Sequence, residues 1–244
     1  MPRLLVLQHM EREGPGLFLK IAEARDMQIK IIRLYLGEDL PQVSNGDLLL
    51  ILGGSMGVRD INDSRYPWLS KEISIIKHAL SNQIPIIGVC LGAQLLSYAA
   101  GGDTEILVEA FNNKPSPEVG WGNIYIVDKD NKDSESYFLG NSFKVLHWHG
   151  DRILLPSTAQ LIASSEYCKE QFFKIGTSAY GMQFHLEIDD QMVLKWIQED
   201  EQFIKSALGE HASSILQRQQ KQFGDETSSI RLEFLNKLFD KMGF

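Results

Sequence analysis

Short, almost continuously apolar runs separated by helix-like segments are the feature that most limits how this chain can fold. The runs occupy residues 4–7, 48–52 and 84–89, and segments 17–24 and 68–80 carry apolar residues at helical spacing. Strands that are apolar on both faces are typical of parallel sheets that helices cover on each side. The first part of the chain therefore predicts such a sheet, with ligand sites at the carboxyl ends of its strands.

A different pattern begins near residue 104, where shorter strand-like runs alternate with turn residues. These runs are residues 119–127, 143–148, 161–164, 172–175 and 180–186. We expect them to add antiparallel strands to the same sheet, with turns at 128–133 and 140–141. After residue 188 the apolar spacing becomes helical again, and the polar segment 217–222 predicts a loop or an exposed helix end.

The composition is ordinary for a globular protein and argues against several other classes of protein. The net charge of −8 and the lack of a Lys/Arg run disfavour a nucleic-acid partner. The 244 residues contain two cysteines, too few for a disulfide framework, and no apolar run approaches the length of a membrane span. The N-terminus has no signal-peptide pattern. We expect one large α/β domain or two small ones, located in the cytoplasm.

The segment 88–94 (GVCLGAQ) places a cysteine where a strand-like run meets a helix-like run. Gly88 and Gly92 flank Cys90 at two residues on either side, and small residues at these offsets permit the sharp turn of a nucleophile elbow. Such a turn presents the sulfur at a helix N-terminus, where the helix dipole favours a thiolate. The motif predicts a catalytic cysteine, whereas Cys168 has no glycine frame and is interpreted as structural.

A nucleophilic cysteine needs a base and a group that orients the base. His185 and Glu187 lie two residues apart at the end of a strand-like segment. Because side chains two apart on a strand share a face, we expect Glu187 to accept a hydrogen bond from one imidazole nitrogen, leaving the other to face Cys90. A His-x-Glu pair is common by chance, so this assignment depends on the cysteine motif.

Backbone amides are the candidate donors to the oxyanion that forms when the sulfur attacks a carbonyl. The Leu91 N–H directly follows the cysteine. The Gly54 N–H lies at the end of a neighbouring apolar strand, where glycine allows close approach to a substrate. By itself, the Gly53-Gly54 pair indicates only a turn.

The segment 147–151 (HWHGD) contains two histidines and has three interpretations. Its histidines could join His185 and a cysteine in a metal site. They could instead line a polar pocket, or His147 could be structural. Because no Cys-x-x-Cys or His-Glu-x-x-His motif accompanies them, we predict no metal site.

Three of these motifs together resemble the class I, triad-type glutamine amidotransferase domain. They are residues 52–56 (LGGSM), 88–94 (GVCLGAQ) and 181–187 (GMQFHLE), in the order of that family. Residues 118–121 (EVGW) and 147–151 (HWHGD) are similar to its stand-alone, GMP-synthase-like branch. The resemblance covers about residues 3–190. It implies a flavodoxin-like α/β sandwich. This agrees with the mostly parallel central sheet, the extra antiparallel strands and the C-terminal helices that the apolar pattern predicts.

The resemblance also implies roles for individual residues. Cys90 would be the nucleophile, His185 the general base and acid, and Glu187 the group that orients His185. Gly54 and Leu91 match the amides of the family's oxyanion hole.

Three further positions match the substrate-binding part of the family. Gln94 matches a glutamine that contacts the amino-acid end of the substrate, and His149 and Gly150 match a loop that borders it. Two positions depart from the family pattern, since Leu186 and Ser55 stand where proline is usual. Ser55 adds an N–H and conformational freedom to the oxyanion loop.

We therefore expect residues 1–190 to form an amidotransferase-like domain and residues 191–244 a helical extension packed on it. The expected reaction is cysteine-dependent hydrolysis of a γ-glutamyl amide, glutamine by default, through a glutamyl thioester and without a metal or organic cofactor. The chain has no room for an ATP-pyrophosphatase domain, so a separate synthetase subunit could take the ammonia. The alternatives are a stand-alone hydrolase of γ-glutamyl peptides or conjugates, and a non-catalytic binding protein.

Overall fold

The computed structural model describes residues 1–127 and 142–244, which form eleven strands and six α-helices. The strands are β1 (Arg3–Gln8), β2 (Gln28–Arg33), β3 (Asp47–Ile51), β4 (Ile86–Val89), β5 (Asp103–Ile106), β6 (Glu118–Ile126), β7 (Ser142–His149), β8 (Asp151–Leu154), β9 (Ala159–Ser164), β10 (Phe172–Ile175) and β11 (Ala179–Met182). The helices are α1 (Gly16–Ala24), α2 (Leu69–Ser81), α3 (Leu91–Ala99), α4 (Asp190–Glu199), α5 (Glu201–Leu208) and α6 (Ala212–Lys241). The turns predicted at 128–133 and 140–141 lie outside the described residues.

Nine of the strands form one sheet in the order β2-β1-β3-β4-β11-β10-β9-β6-β7. The first five are parallel and the remainder are antiparallel to their neighbours. The structure thus confirms the predicted α/β class, a large and mostly parallel sheet extended by antiparallel strands. Strands β5 and β8 form a separate two-stranded sheet, which the apolar pattern does not predict.

Alternate residues of the parallel strands face opposite helical layers, and this explains why their sequences are apolar throughout. Leu4 of β1 packs with Phe18 of α1 and Phe239 of α6 on one face. Leu5 of the same strand packs with Ile76 of α2 on the other face. Complete burial of each such side chain stabilises the fold by about 1.5–3 kcal/mol, so both faces of the sheet are held by apolar contacts.

The prediction of a loop or a helix end at 217–222 was wrong, because this segment lies inside α6, more than one turn from its start. Its polarity has a tertiary cause. Gln219 Oε1 accepts a hydrogen bond from the Trp121 N–H at 3.0 Å, and Gln220 Oε1 accepts one from Trp121 Nε1 at 2.9 Å. Two glutamines that look solvent-exposed in the sequence therefore connect α6 to β6. No helix in the described residues is both long and apolar enough to span a membrane.

The prediction of a strand over 180–186 was correct only in its first half, because β11 ends at Met182. After Met182 the chain no longer pairs with β4, and the His185 N–H donates to Leu146 O of β7 at 2.9 Å. His185 therefore sits in an isolated bridge, and Glu187 lies outside any strand.

A substitution at Gly92 tests how closely α3 approaches the sheet. A Cβ at this position would lie 2.1 Å from Ile51 O, a backbone atom that cannot move away cheaply. We expect Gly92→Ala to lower the free energy of unfolding by about 3 kcal/mol, measured by urea denaturation. Gly14→Ala is the matched control, because a Cβ there meets nothing within 4 Å. Equal stability of the two variants would contradict this packing.

Candidate active site

Cys90 occupies a strained turn between β4 and α3. Its φ of 50° is unusual for a residue with a side chain, and its N–H donates to Met182 O at 2.7 Å. The flanking glycines are sterically required, since a Cβ on Gly88 would lie 2.5 Å from Gly92 O. The local sequence therefore builds the elbow that its glycine spacing predicts.

The structure brings Cys90, His185 and Glu187 together at this turn. Cys90 and His185 line one cavity, and the Cys90 thiol lies 3.8 Å from Trp148 O. His185 Nδ1 donates to Glu187 Oε1 at 2.7 Å, and Glu187 Oε2 accepts from the Leu186 N–H at 3.0 Å. Both His185 and Glu187 are almost completely buried. The expected His–Glu contact thus arises across a bend of the chain instead of along a strand face.

The pKa of His185 is raised well above its usual 6.5. Burial is the largest influence and by itself would lower the pKa. The negative charge of Glu187 and the hydrogen bonds with Cys90 and Glu187 outweigh burial, because each favours the imidazolium. The ring also packs edge-on against Trp196, with centroids 4.8 Å apart, so it is held in one orientation by an apolar wall.

The backbone around Glu187 is held by two elements that the sequence analysis did not connect with the site. The Leu17 N–H at the start of α1 donates to Glu187 O at 2.9 Å. Gly16 fits there only as glycine, since a Cβ would lie 1.8 Å from the same oxygen. From α6, Arg231 Nη1 donates to Leu186 O at 2.9 Å and to Ile188 O at 2.7 Å.

The two expected oxyanion donors, the Gly54 and Leu91 amides, belong to loops that touch each other. A Cβ on Gly54 would be 2.9 Å from Leu91 Cδ2, so the two loops are in contact. Within residues 1–127 and 142–244, neither N–H donates to another protein group. The extra N–H of Ser55 is directed to Met10 Sδ at 3.3 Å and is therefore not free.

A cavity of about 440 Å³ opens beside these groups. Cys90, His185 and Gly54 line it together with the three residues expected to contact substrate, which are Gln94, His149 and Gly150. Trp148, Trp196 and Phe203 form much of its apolar wall. Gln94 Nε2 is 3.3 Å from Gln183 Oε1, so this side chain is already oriented by a buried neighbour.

Charged residues that sequence reasoning missed also line the cavity, most notably Glu13. The Glu13 carboxylate occupies the space next to the Cα of Gly53. A Cβ added to Gly53 would lie 2.2 Å from Glu13 Oε2 and 3.3 Å from His185 Cε1. Burial raises the pKa of Glu13, although the positive charges of His185 and Arg12 act in the opposite direction. Nothing in the local sequence distinguishes this glutamate from a solvent-exposed one.

Glu118, His147 and His149 form a buried cluster behind the cavity wall, and their ligand atoms lie within 4.8 Å of one another. Imidazole nitrogens and a carboxylate oxygen at these separations could hold a divalent metal ion. The Glu118 carboxylate already contacts His149 Nε2 at 3.2 Å and accepts from Gln171 Nε2 at 2.7 Å. Burial lowers the pKa of His147 to about 4, so its ring is neutral near pH 7. Of the two histidines, only His149 reaches the cavity.

The open, mostly parallel α/β sheet with a cysteine elbow beside a His–Glu pair has the arrangement expected of an amidotransferase-like α/β domain. The sequence profile of the family described as glutamine amidotransferase class-I matches residues 19–192. The chain belongs to the class-I glutamine amidotransferase family.

Relatives and solved structures agree with this membership. The glutamine amidotransferase-like protein YfeJ of Salmonella typhimurium is 31% identical over 209 residues, which are 85% of this chain and 84% of that protein. One subunit of the glutamine-hydrolyzing GMP synthase of Methanococcus maripaludis is 29% identical over 63% of this chain and 77% of its own length. The crystal structure of a glutamine amidotransferase from Thermotoga maritima has a TM-score of 0.83 at 26% identity, covering 99% of this chain and 97% of that one.

Replacing Arg231 tests whether α6 supports the loop around Glu187. Arg231→Leu leaves two buried carbonyls, those of Leu186 and Ile188, without their donor. We expect a loss of about 3 kcal/mol in the free energy of unfolding, measured by urea denaturation. Arg218→Leu on the exposed face of the same helix is the control and should change it by less than about 0.5 kcal/mol. Equal effects would show that Arg231 has no special supporting role.

Proposed function

We propose that this protein hydrolyses the side-chain amide of a γ-glutamyl compound, with glutamine as the default substrate. One observation carries the proposal: a cysteine at a strained elbow shares a cavity with His185, which is hydrogen-bonded to Glu187, and with Gly54. In the described part of the chain, the N–H groups of Gly54 and of Leu91, which directly follows the cysteine, donate to no protein group. These are the nucleophile, the oriented base and the oxyanion donors that acyl transfer requires.

In the first half-reaction, the thiol proton of Cys90 resides on His185, and Cys90 Sγ attacks the γ-carbonyl carbon as a thiolate. The carbonyl oxygen becomes negative and accepts hydrogen bonds from the Gly54 and Leu91 amides. His185 then donates its proton to the amide nitrogen, the C–N bond breaks, and an amine or ammonia leaves. The product bound to the protein is a glutamyl thioester.

In the second half-reaction, water replaces the amine. His185, now neutral, takes a proton from the water as its oxygen attacks the thioester carbon, and the same two amides bind the second oxyanion. The C–S bond breaks and glutamate leaves. The Glu187 carboxylate holds the His185 ring in one tautomer and stabilises its charged form in both steps.

Gln94 is proposed to contact the amino-acid end of the substrate, and His149 and Gly150 to border the substrate. All three line the cavity, whose volume of about 440 Å³ is ample for a glutamine. Arg59 and Asp151, paired at 2.9 Å across its wall, are further polar groups available to the substrate.

The fate of the ammonia separates two forms of the proposal. An apolar surface next to the cavity favours transfer to a separate synthetase: Ile106 lines the cavity, and Val108 and Phe111 of the adjoining loop are exposed, Phe111 completely. Relatives named as GMP synthase subunits support this form. The charged residues of the cavity favour a hydrolase of larger γ-glutamyl compounds that acts alone.

Substitution of the two cysteines tests the proposed nucleophile. We expect Cys90→Ala to lower the hydrolysis of glutamine or of a γ-glutamyl amide by at least about 10³-fold, because no other group forms the thioester. Cys168→Ala is the control. Burial raises the pKa of the Cys168 thiol to about 12, so it is inert near neutral pH.

The measurement is glutamate release across a panel of glutamine, γ-glutamyl dipeptides and γ-glutamyl amines. Full activity of Cys90→Ala would refute the nucleophile. A glutamine-like electrophile that labels both cysteines slowly and equally would favour the non-catalytic alternative.

The pH profile tests the charged form of His185. Because its pKa is raised, the imidazolium is present at neutral pH and is lost as the pH rises through that raised value. We expect kcat/KM to fall on the alkaline side for this reason. Glu187→Gln removes the charge that raises the pKa, so the alkaline fall should begin at lower pH. An alkaline limb that does not move would contradict this role of Glu187.

A further inference from the structure

We propose that His9 and Glu72 are positioning residues that fix the Gly53–Gly54 peptide with its Gly54 N–H directed into the cavity. This inference rests on the proposed function, since it concerns the amide assigned there to the oxyanion. It adds two residues that do not touch substrate and that keep one donor in place before substrate arrives.

The two residues form a buried chain of hydrogen bonds that ends on the peptide. His9 Nδ1 lies 3.1 Å from Gly53 O, and His9 Nε2 lies 3.1 Å from both oxygens of Glu72. The side chains of His9 and Glu72 are completely buried. Parallel pairing of β1 and β3 sets Leu7 opposite Ile51, and His9 and Gly53 follow two residues beyond each.

His9 Nδ1 must donate to Gly53 O, because a carbonyl oxygen can only accept. In the imidazolium form of the ring, Nε2 also donates, to the Glu72 carboxylate. Burial lowers the pKa of His9, but the charge of Glu72 and the hydrogen bonds to Glu72 and Gly53 outweigh it, and Glu13 adds to this effect, so the pKa is raised. Glu72 lies in the first turn of α2, where the helix dipole stabilises a negative charge.

Holding the Gly53 carbonyl also fixes the next amide. The peptide is trans, so the Gly54 N–H points in the direction opposite to Gly53 O and away from the His9 ring. On that side it donates to no protein group in the described part of the chain. Gly54 lines the cavity with Cys90, and a Cβ at this position would lie 2.9 Å from Leu91 Cδ2 and 3.1 Å from His9 Cβ.

Without such a bond, little would prevent this peptide from rotating. Glycine has access to most backbone conformations, and Ser55 after it does not restrict the chain as a proline would. A rotated peptide would direct the Gly53 oxygen into the cavity, where it repels an oxyanion. Rotation would also break a buried, charge-assisted hydrogen bond, which is why the His9–Glu72 pair opposes it.

Two double variants isolate the hydrogen bond to Gly53 O. His9→Leu with Glu72→Leu removes the donor and the buried charge together, so no unpaired carboxylate remains. His9→Asn with Glu72→Leu restores an amide N–H at the position of Nδ1. We expect the first to lower kcat about 10- to 100-fold with little change in KM, and the second to recover most of that loss.

Alkylation of Cys90 by iodoacetamide separates this role from general damage. The reaction displaces iodide at a saturated carbon and forms no oxyanion, so its rate should be similar in both double variants and in the wild type. Equal kcat values for the two variants, or kcat and alkylation rate falling in parallel, would overturn the proposal.

Two measurements test the orientation of the peptide independently of activity. In crystal structures, the Gly53–Gly54 peptide should be rotated in the variant with His9→Leu and unchanged in the variant with His9→Asn. In the wild-type protein, ¹⁵N NMR of the His9 ring should find both nitrogens protonated at neutral pH, and an unprotonated Nδ1 would overturn the inference. If the wild type hydrolyses no γ-glutamyl compound, the proposed function fails, whereas these two measurements still decide the role of His9.

Discussion

The parallel register of β1, β3, β4 and β11 is the constraint on which the rest of the structure depends. Leu7 pairs with Ile51, Ile51 with Gly88, and Gly88 with Gly181, so the four strands end at one edge of the sheet. The segments that follow them supply the cysteine turn, the glycine loop and the histidine bridge within one cavity. A shift of one residue in any of these pairs would turn that strand's apolar side chains to the other helical layer and carry its loop away from the others.

Features that depend on local chain geometry could be predicted from the sequence. The elbow is one, because the two glycines around Cys90 are required by contacts within the turn itself and with the adjacent strand. The alternation of apolar strands with helices is another, and it predicts the α/β class correctly. The contact between His185 and Glu187 follows from their spacing, but its geometry does not, since the bridge from His185 to Leu146 joins segments distant in the sequence.

Buried polar residues are what the sequence could not reveal. His9, Glu13 and Arg231 lie in segments that would suit a solvent-exposed residue equally well, and only tertiary packing buries them. Each is buried among groups of opposite charge or acceptor oxygens, as an ionised side chain must be. One His–carboxylate pair lies beside the cysteine and another behind the glycine loop, and neither geometry can be inferred without knowing which strands are neighbours.

The bonds from Arg231 to the loop around Glu187 have a consequence for how the molecule is made. Synthesis proceeds from the N-terminus, so the elbow, the glycine loop and His185 all leave the ribosome before α6 does. Until α6 has emerged and docked, the carbonyls beside Glu187 lack their donor. The nascent chain therefore carries the segment around Glu187 without this support until α6 docks against it.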